Sequence, residues 1–565
     1  MSQYISHRTR AQESRAAIER LYVAMRHLFI RGVYKPLGVS GQAMIDNLKI
    51  LRPEIYGDIT DPERVELEGL LYVFQRLPKG MEECRYIRLI SREGFEKSDF
   101  EVIVPPKRRR NCYRIDQEQM YIEMTRGRSD IYDILTHLTF LYIEAEKIRM
   151  NGEDPKGNKR REWKQLEEIV LRKEEYGEDF DKEVAFTYLS TLLGRTYEET
   201  VEACKRFSAD PNVNSIFHIT YWLGQLSTEE ARDGNDREIS FSSALRERVG
   251  HHHYGEQWAD NIKNFLLEKE WLDRPIHIIS ANPHSVMNCF YAKAALPGAN
   301  KNLEDYAREL SQQDNRELRQ RVRAYALKHG MFQFDDTSGT NITVQIFDTT
   351  QIDPNTLPKD LHWNEEYVKT QRPLIFVMDY AFGEQAFETM DELLKPYDSE
   401  SEGKLKLNVE SISIMGKAGI LEGGKGDIMV PTAHVFEGTA DNYPLENGFS
   451  KADFEGEGLP VVEGPMITVL GTSLQNKDIL RYFLKSSWRA IGLEMEGAHY
   501  QKAIQSASKI RRSIREDVKV RYAYYASDNP LISGHTLASG SLGLDGVKPT
   551  YLITLKILNK ILNLE

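Results

Sequence analysis

Two acidic residues near the C-terminus stand in settings suited to chemistry. Glu496 lies in the run Ile491-Gly492-Leu493-Glu494-Met495-Glu496-Gly497-Ala498, and Asp528 in Tyr524-Tyr525-Ala526-Ser527-Asp528-Asn529-Pro530. Each run is mainly apolar before its last carboxylate, with Glu494 as the one earlier charge. Val520 to Ala526 reads as a strand rich in aromatic side chains, and Ser527 to Pro530 as a turn that cannot continue it. A carboxylate at the C-terminal end of such a strand lies where open α/β sheets bind ligands. Two carboxylates reaching one cleft can hold sugar hydroxyls and donate a proton. A helix-start Glu and a turn-capping Asp account for the same spacing without any chemistry.

The elements that must position these groups alternate along the C-terminal half. From Arg274-Pro275 onward, the strand Ile276 to Ile279, the turn Ser280 to Ser285 and the helix Val286 to Leu296 form a β-turn-α unit. Asn341 to Phe347 and Leu374 to Met378 read as further strands. Helices are predicted at Gln385 to Leu394, Asp478 to Lys485, Glu496 to Ser506 and Tyr551 to Leu562. The first ~270 residues read mainly as helix, with apolar residues at helical spacing in Gln12 to Ile30, Ile131 to Ile148 and Val184 to Leu193. Tyr86 to Ile90 and Phe100 to Val104 suggest one short hairpin. The polar stretch Asn151 to Asn158 is rich in breakers and divides this half. The expected domains are therefore a helical region at 1–150, a second at 151–273, and an α/β domain at 274–565.

Bulk properties narrow the classes of function. Charged residues make up 28% and hydrophobic residues 41% of the 565, as in ordinary globular proteins. The net charge of −12 argues against a general nucleic-acid binder. The basic run Lys107-Arg108-Arg109-Arg110 reads as a solvated loop. No stretch approaches the ~18 uninterrupted apolar residues of a membrane span, and the first ten residues lack an apolar signal core. The cysteines Cys84, Cys112, Cys204 and Cys289 are too scattered for a zinc knuckle or a disulfide framework, so a reducing, cytoplasmic location is expected.

Other stretches fall in a recognisable order with the two carboxylate runs. Ser413-Ile414-Met415-Gly416-Lys417-Ala418-Gly419-Ile420-Leu421 reads as a strand and Gly-rich turn, and Gly426-Asp427-Ile428-Met429-Val430-Pro431 as the strand after it. Met466-Ile467-Thr468-Val469-Leu470-Gly471-Thr472-Ser473 follows. Together with Met495-Glu496 and Ser527-Asp528, these resemble the purine nucleoside phosphorylase and nucleosidase superfamily. Ser527-Asp528-Asn529-Pro530-Leu531 is similar to the Ser-Asp-Lys-Pro-Leu of AMP nucleosidases. The resemblance, which also extends to methylthioadenosine nucleosidases, runs from about Pro373 to the C-terminus. Fewer residues separate Met378 from Gly416 than this superfamily places there, so strands between Ile276 and Phe347 are expected to complete the sheet.

This resemblance implies a three-layer α/β sandwich like that of nucleoside phosphorylases, behind a mainly helical N-terminal region. It implies hydrolysis of a purine nucleoside or nucleotide (AMP-like), with release of free base, no cofactor, and assembly as a homo-oligomer. Asp528 would be the general acid and Ser527 its orienting neighbour. Glu496 would bind the ribose hydroxyls, with Met495 packed on the sugar. Glu384, in Asp379-Tyr380-Ala381-Phe382-Gly383-Glu384, would position the attacking water. Gly416, Ala418 and Gly419 would allow close approach to the sugar or an anion, Thr472 and Ser473 would face the base, and Arg489 would meet a phosphate. Phosphorylases carry a Gly-Asp-Pro followed by Arg near the first strand, which this sequence lacks, so hydrolysis is preferred to phosphorolysis. A phosphate-dependent phosphorylase and a catalytically silent purine-nucleotide sensor remain the alternatives. A metal held by His251-His252-His253 with His137 and Glu144, and a phosphate at the Ser280 to Ser285 turn, are the lesser readings.

Overall fold

The computed structural model describes residues 9–176, 181–296, 301–399, 403–532 and 542–563. Residues 1–8, most of the segment read above for a signal core, lie outside the described residues. The chain forms two compact units. One takes the described residues up to Thr125, then Asp130–His251 and Ser473–Ile479; the other takes Arg126–Ser129, His252–Thr472 and the described residues from Leu480 onward.

The first unit is mainly helical but holds a six-stranded sheet where one short hairpin was expected. Six short strands, β1 (Val33–Tyr34), β2 (Tyr86–Ile90), β3 (Val102–Ile103), β4 (Cys112–Arg114), β5 (Gln119–Glu123) and β6 (Glu238–Phe241), form one sheet in the order β1-β6-β2-β5-β4-β3. β2 and β3 are not a hairpin, because β5 and β4 lie between them. Strands of two to five residues are too short to show a period against the helices around them. The helices follow the apolar spacing closely. Arg10–Arg31, for example, starts at a Thr9 capping box and ends at Gly32 in the left-handed conformation. The helix Gly127–Gly152 runs unbroken past position 150, and residues on both sides of the polar stretch belong to the same unit.

Half of the basic run is not solvated. Arg110 is buried, with Nη2 2.7 Å from Asp130 Oδ1 and 3.2 Å from Asp133 Oδ2, while Arg108 Nε meets Asp133 Oδ2 at 3.1 Å. A buried guanidinium needs such partners, and the sequence reading could not see aspartates on another element.

The second unit is built on ten strands: β7 (Ile276–Ser280), β8 (Met331–Phe334), β9 (Val344–Asp348), β10 (Leu374–Met378), β13 (Val409–Ile420), β14 (Ile428–Phe436), β15 (Asn442–Pro444), β16 (Val461–Thr468), β17 (Gly492–Glu494) and β18 (Lys519–Asp528). A separate ribbon pairs β11 (Tyr397–Ser399) with β12 (Gly403–Leu405). The upstream strands do enter this sheet: β7 lies parallel between β10 and β13, and β9 and β8 continue beyond β10. The helix His253–Glu268, upstream of the expected boundary at 274, supplies Trp258, Ile262 and Leu266 to the same core.

Five of these strands close a ring. β13 pairs with β18, β18 with β14, β14 with β16, β16 with β17, and β17 returns to β13. Closure leaves no free edge among them. It also places Gly419 of β13 opposite Leu493 of β17 on one side and Asp528 of β18 on the other. The expected Gly-rich turn at Gly416 to Gly419 is therefore strand, and its small residues lie inside the ring pairing.

Candidate active site

The turn that carries Glu496 is fixed by a second carboxylate. Glu494, the last residue of β17, is buried and accepts hydrogen bonds from the amides of Glu496, at 2.5 Å, and of Gly497. The Thr468 hydroxyl also donates to it, and His434 Nδ1 lies 3.3 Å away. These amides open the helix Gly497–Gln505, so Glu494 does the work of a helix cap from just outside it. Burial opposes its ionisation, yet His434, Thr468 and the Gly497 amide together hold its carboxyl below the usual range. Gly497 is required by space: a Cβ there would lie 2.2 Å from His434 Cε1.

Glu496 turns the other way, and its Oε1 accepts the Gly383 amide at 2.9 Å. Burial, reinforced by the neighbouring Glu494 charge, pushes its carboxyl up to about 8, against the pull of the Gly383 and Met495 amides and the Arg126 charge. The buried Met495 packs at the same point, its Cε 3.8 Å from where a Cβ on Gly383 would stand. Gly383 has φ +56° and a Cβ there would meet Ser129 Oγ at 2.4 Å, so this position needs glycine on both counts.

Glu384 follows directly. Its amide donates to Ser129 Oγ at 2.9 Å, and its carboxylate stands 3.4 Å from Arg128 Nη1. The expected water-positioning glutamate thus faces a guanidinium. One helical turn on, Glu388 is buried, and burial with the charge of Glu384 raises its carboxyl well above the ordinary range.

Asp528 ends β18 and is fully buried. The β13–β18 register slips between Ala418 and Gly419, leaving Ser527 as an extra residue on β18. Such bulges re-aim strand ends beside functional sites. The Ser527 hydroxyl reaches Asp528 Oδ1 at 2.5 Å and the Ala418 carbonyl at 3.2 Å. Asp528 and Leu493 flank Gly419, two strand spacings or ~10 Å apart across the ring, and Met495-Glu496 follows Leu493 by two and three residues. A Cβ on Gly416 would lie 3.5 Å from Tyr380 Cε1 and 3.9 Å from Tyr524 Cδ1, so two aromatic rings pack on its bare face.

The remaining candidates fall elsewhere. Thr472 begins a short 3-10 turn, Thr472–Leu474, rather than ending a strand. Ser473 belongs to the first unit, where its side chain bonds the buried Tyr56 hydroxyl. Arg489 is exposed, in a left-handed turn with φ 45° after the helix Lys477–Lys485. Asn282 caps its own helix by accepting the His284 amide at 2.9 Å, and Ser280 bonds the Tyr500 hydroxyl at 3.0 Å.

The proposed metal ligands do not converge. His137 bonds Tyr56 at 2.8 Å and Glu144 pairs with Lys147 at 2.9 Å. Among the described residues, the one trio of such groups close enough to share an ion is Glu82, Glu83 and His218. All four cysteines are unpaired, and no described helix is long and apolar enough to cross a membrane. A cavity of about 480 Å³ is lined by first-unit residues including Arg10, Arg20 and Lys49, and by none of the candidates above.

Sequence reading missed Arg126, Arg128, Ser129, Gly383, His434 and the rings of Tyr380 and Tyr524. Gly383 and Tyr524 stood inside quoted motifs. The Arg126–Ser129 segment gave no signal, because it lies about 255 positions from Glu384.

A family model matches residues 42–314 and 293–563, most of the chain. The chain belongs to DUF6909, a family of unknown function. No curated protein matches it. Among solved structures, it is similar to futalosine hydrolase of Helicobacter pylori, at 13% identity over 51% of this chain and 99% of that one, with a TM-score of 0.29. It is similar to 5′-methylthioadenosine/S-adenosylhomocysteine nucleosidase of Campylobacter jejuni, at 11% identity over 51% and 99%, with a TM-score of 0.30. The corresponding Streptococcus pneumoniae nucleosidase, in complex with 8-aminoadenine, gives 13% identity over 50% and 99%, with a TM-score of 0.28. At these scores the likeness carries no argument, and the chemistry of the site rests on its own contacts.

Proposed function

We propose that the second unit of this DUF6909 chain hydrolyses the N-glycosidic bond of a purine nucleoside or nucleotide and releases the free base. The observation that supports this most is the pairing of Gly419 with Leu493 on one edge and Asp528 on the other. It sets Asp528 and Leu493, two residues before Met495, on either side of one residue of β13, with β18 parallel and β17 antiparallel to that strand. In the reaction, a water oxygen bonds to C1′ as the bond from C1′ to the base nitrogen breaks. The base leaves with the electron pair and takes a proton from Asp528. The proton lost by water passes to Glu384 or to solvent. Glu496 accepts the ribose hydroxyls, and its charge favours the positive sugar of the transition state. Met495 packs against the sugar, and Tyr380 and Tyr524 offer apolar walls.

The pairing of Glu384 with Arg128 favours a second reading, a purine-nucleotide sensor without turnover, because a guanidinium occupies the carboxylate that water would need. Incubating the purified protein with AMP, adenosine, inosine, guanosine and methylthioadenosine, with and without phosphate, separates the readings. Free base without added phosphate supports hydrolysis. Saturable binding of these compounds with no base released supports the sensor.

A further inference from the structure

The segment Arg126–Ser129 belongs to the second unit, although the residues before and after it belong to the first. It brings two guanidinium groups to Gly383, the point where Met495, Glu496 and Glu384 meet. The Arg126 guanidinium stands 5.1 Å from the centre of the Phe382 ring, and its charge acts on Glu496. Arg128 reaches Glu384 Oε1 at 3.4 Å, longer than a good charge-assisted hydrogen bond. Gly127, between them, is the first residue of the helix Gly127–Gly152, and the amides from Gly127 to Ser129 belong to the same unit as Gly383.

One further group there points to a ligand. Glu388 Oε1 is buried with no hydrogen-bond partner among the described residues. It lies 3.1 Å from where a Cβ on Gly127 would be. Burial and the Glu384 charge raise this carboxyl and favour its neutral form, an O–H donor beside Gly127. Two guanidinium groups thus stand against one carboxylate, Glu384, beside a second carboxyl that burial pushes toward its neutral form. That balance suits an anion.

We propose that Arg126 and Arg128, with the backbone amides of Gly127 to Ser129 and Glu388, bind a phosphoryl group, and that this group belongs to the substrate, a nucleoside monophosphate. This rests on reading Glu496 and Asp528 as parts of a nucleosidase site, and it gives the bound phosphate to Arg126 and Arg128 instead of the exposed Arg489. A planar guanidinium fork matches phosphate oxygens in pairs.

The test compares base release from AMP and adenosine, with calorimetric binding of AMP, adenosine and inorganic phosphate measured in parallel. The full-length protein, Arg126→Ala, Arg128→Ala, Arg126→Lys and Arg489→Ala are compared. The wild type is expected to prefer AMP, and Arg126→Ala or Arg128→Ala to reduce that preference by roughly 10²-fold. Arg126→Lys should fall between, and Arg489→Ala should keep the wild-type ratio. Base release from adenosine that depends on inorganic phosphate, yields a sugar 1-phosphate and is lost in Arg126→Ala would keep the phosphoryl receptor but overturn its assignment to the substrate. Equal use of AMP and adenosine, with binding of AMP and phosphate unaffected by either alanine, would overturn the proposal. If no compound releases base but AMP still binds through Arg126, the nucleosidase reading fails and the phosphoryl site stands.

Discussion

Glu494 accepts the backbone amide of Glu496 at 2.5 Å, so one buried carboxylate sets the direction in which the next one points. The same carboxylate is paired with His434 and Thr468. Replacing it with Gln removes the charge that satisfies this buried node. Glu494→Gln should cost about 1–3 kcal/mol of stability and should lower turnover through a misplaced Glu496. Denaturant unfolding beside kcat checks both; full stability with normal turnover would show that the node is dispensable.

Asp528→Asn should leave the fold unchanged, because the amide is nearly isosteric and Ser527 can still bond it. Turnover should fall by about 10²-fold or more, since an amide has no acidic proton to give the leaving base. Activity within about threefold of wild type would remove Asp528 from the acid role.

The raised Glu496 carboxyl makes two pH predictions. Its ordinary value is 4.5 and its folded value about 8, so between these pH values the folded state holds a proton that the unfolded state has released. Stability contributed by this group is full below about pH 4.5 and declines as pH rises to about 8. Glu496→Gln should flatten that decline in thermal-unfolding scans. In the wild type, kcat/KM should rise with pH to a limb near 8, as the ribose-binding carboxylate ionises, and the variant should lack this limb. The variant should still bind free purine while losing kcat/KM. An unchanged pH profile, or equal loss of base binding, would mark Glu496 as structural.

His137 predicts the opposite slope in the first unit. Burial lowers its ring from 6.5 to about 3 in spite of the nearby Asp133, so on acidification the unfolded chain gains a proton first. Its contribution to stability is full above about pH 6.5 and is lost as pH falls toward 3. His137→Gln should weaken acid sensitivity over that window, read from unfolding midpoints against pH. An unaltered slope would exclude His137 as its source.

Gly497→Ala forces a methyl to 2.2 Å from His434 Cε1 and 2.8 Å from Glu494 Oε1. Neither neighbour can withdraw without breaking the buried pair. A loss of about 1–3 kcal/mol is expected from calorimetric unfolding. A neutral substitution would mean that the node repacks freely.

Local order was legible in the sequence and closure was not. Leu374 to Met378 is a run of five apolar residues and forms β10 over the same five. The helix Gln385–Leu394 likewise forms where its apolar spacing placed it, although nearly all of its residues, charged ones included, are buried. The ring was invisible because pairing β13 to both β17 and β18 depends on register between segments far apart in the chain. For that reason Gly416 to Gly419 read as a turn, although small residues also suit a crowded strand. Met495-Glu496 and Ser527-Asp528 could be read because each carboxylate ends a local apolar run. Arg128 and Ser129 could not, since nothing near them in sequence records that Glu384 is their neighbour. The six-stranded sheet of the first unit escaped for a different reason: two of its strands have two residues each.

The most direct test of the central claim is base release in isotopically labelled water, with AMP as substrate and no added phosphate, for the wild type and Asp528→Asn side by side. Free adenine, one labelled oxygen on the sugar C1′ and loss of both in Asp528→Asn are the predicted result. The absence of adenine from the wild type, or equal release by Asp528→Asn, would contradict it.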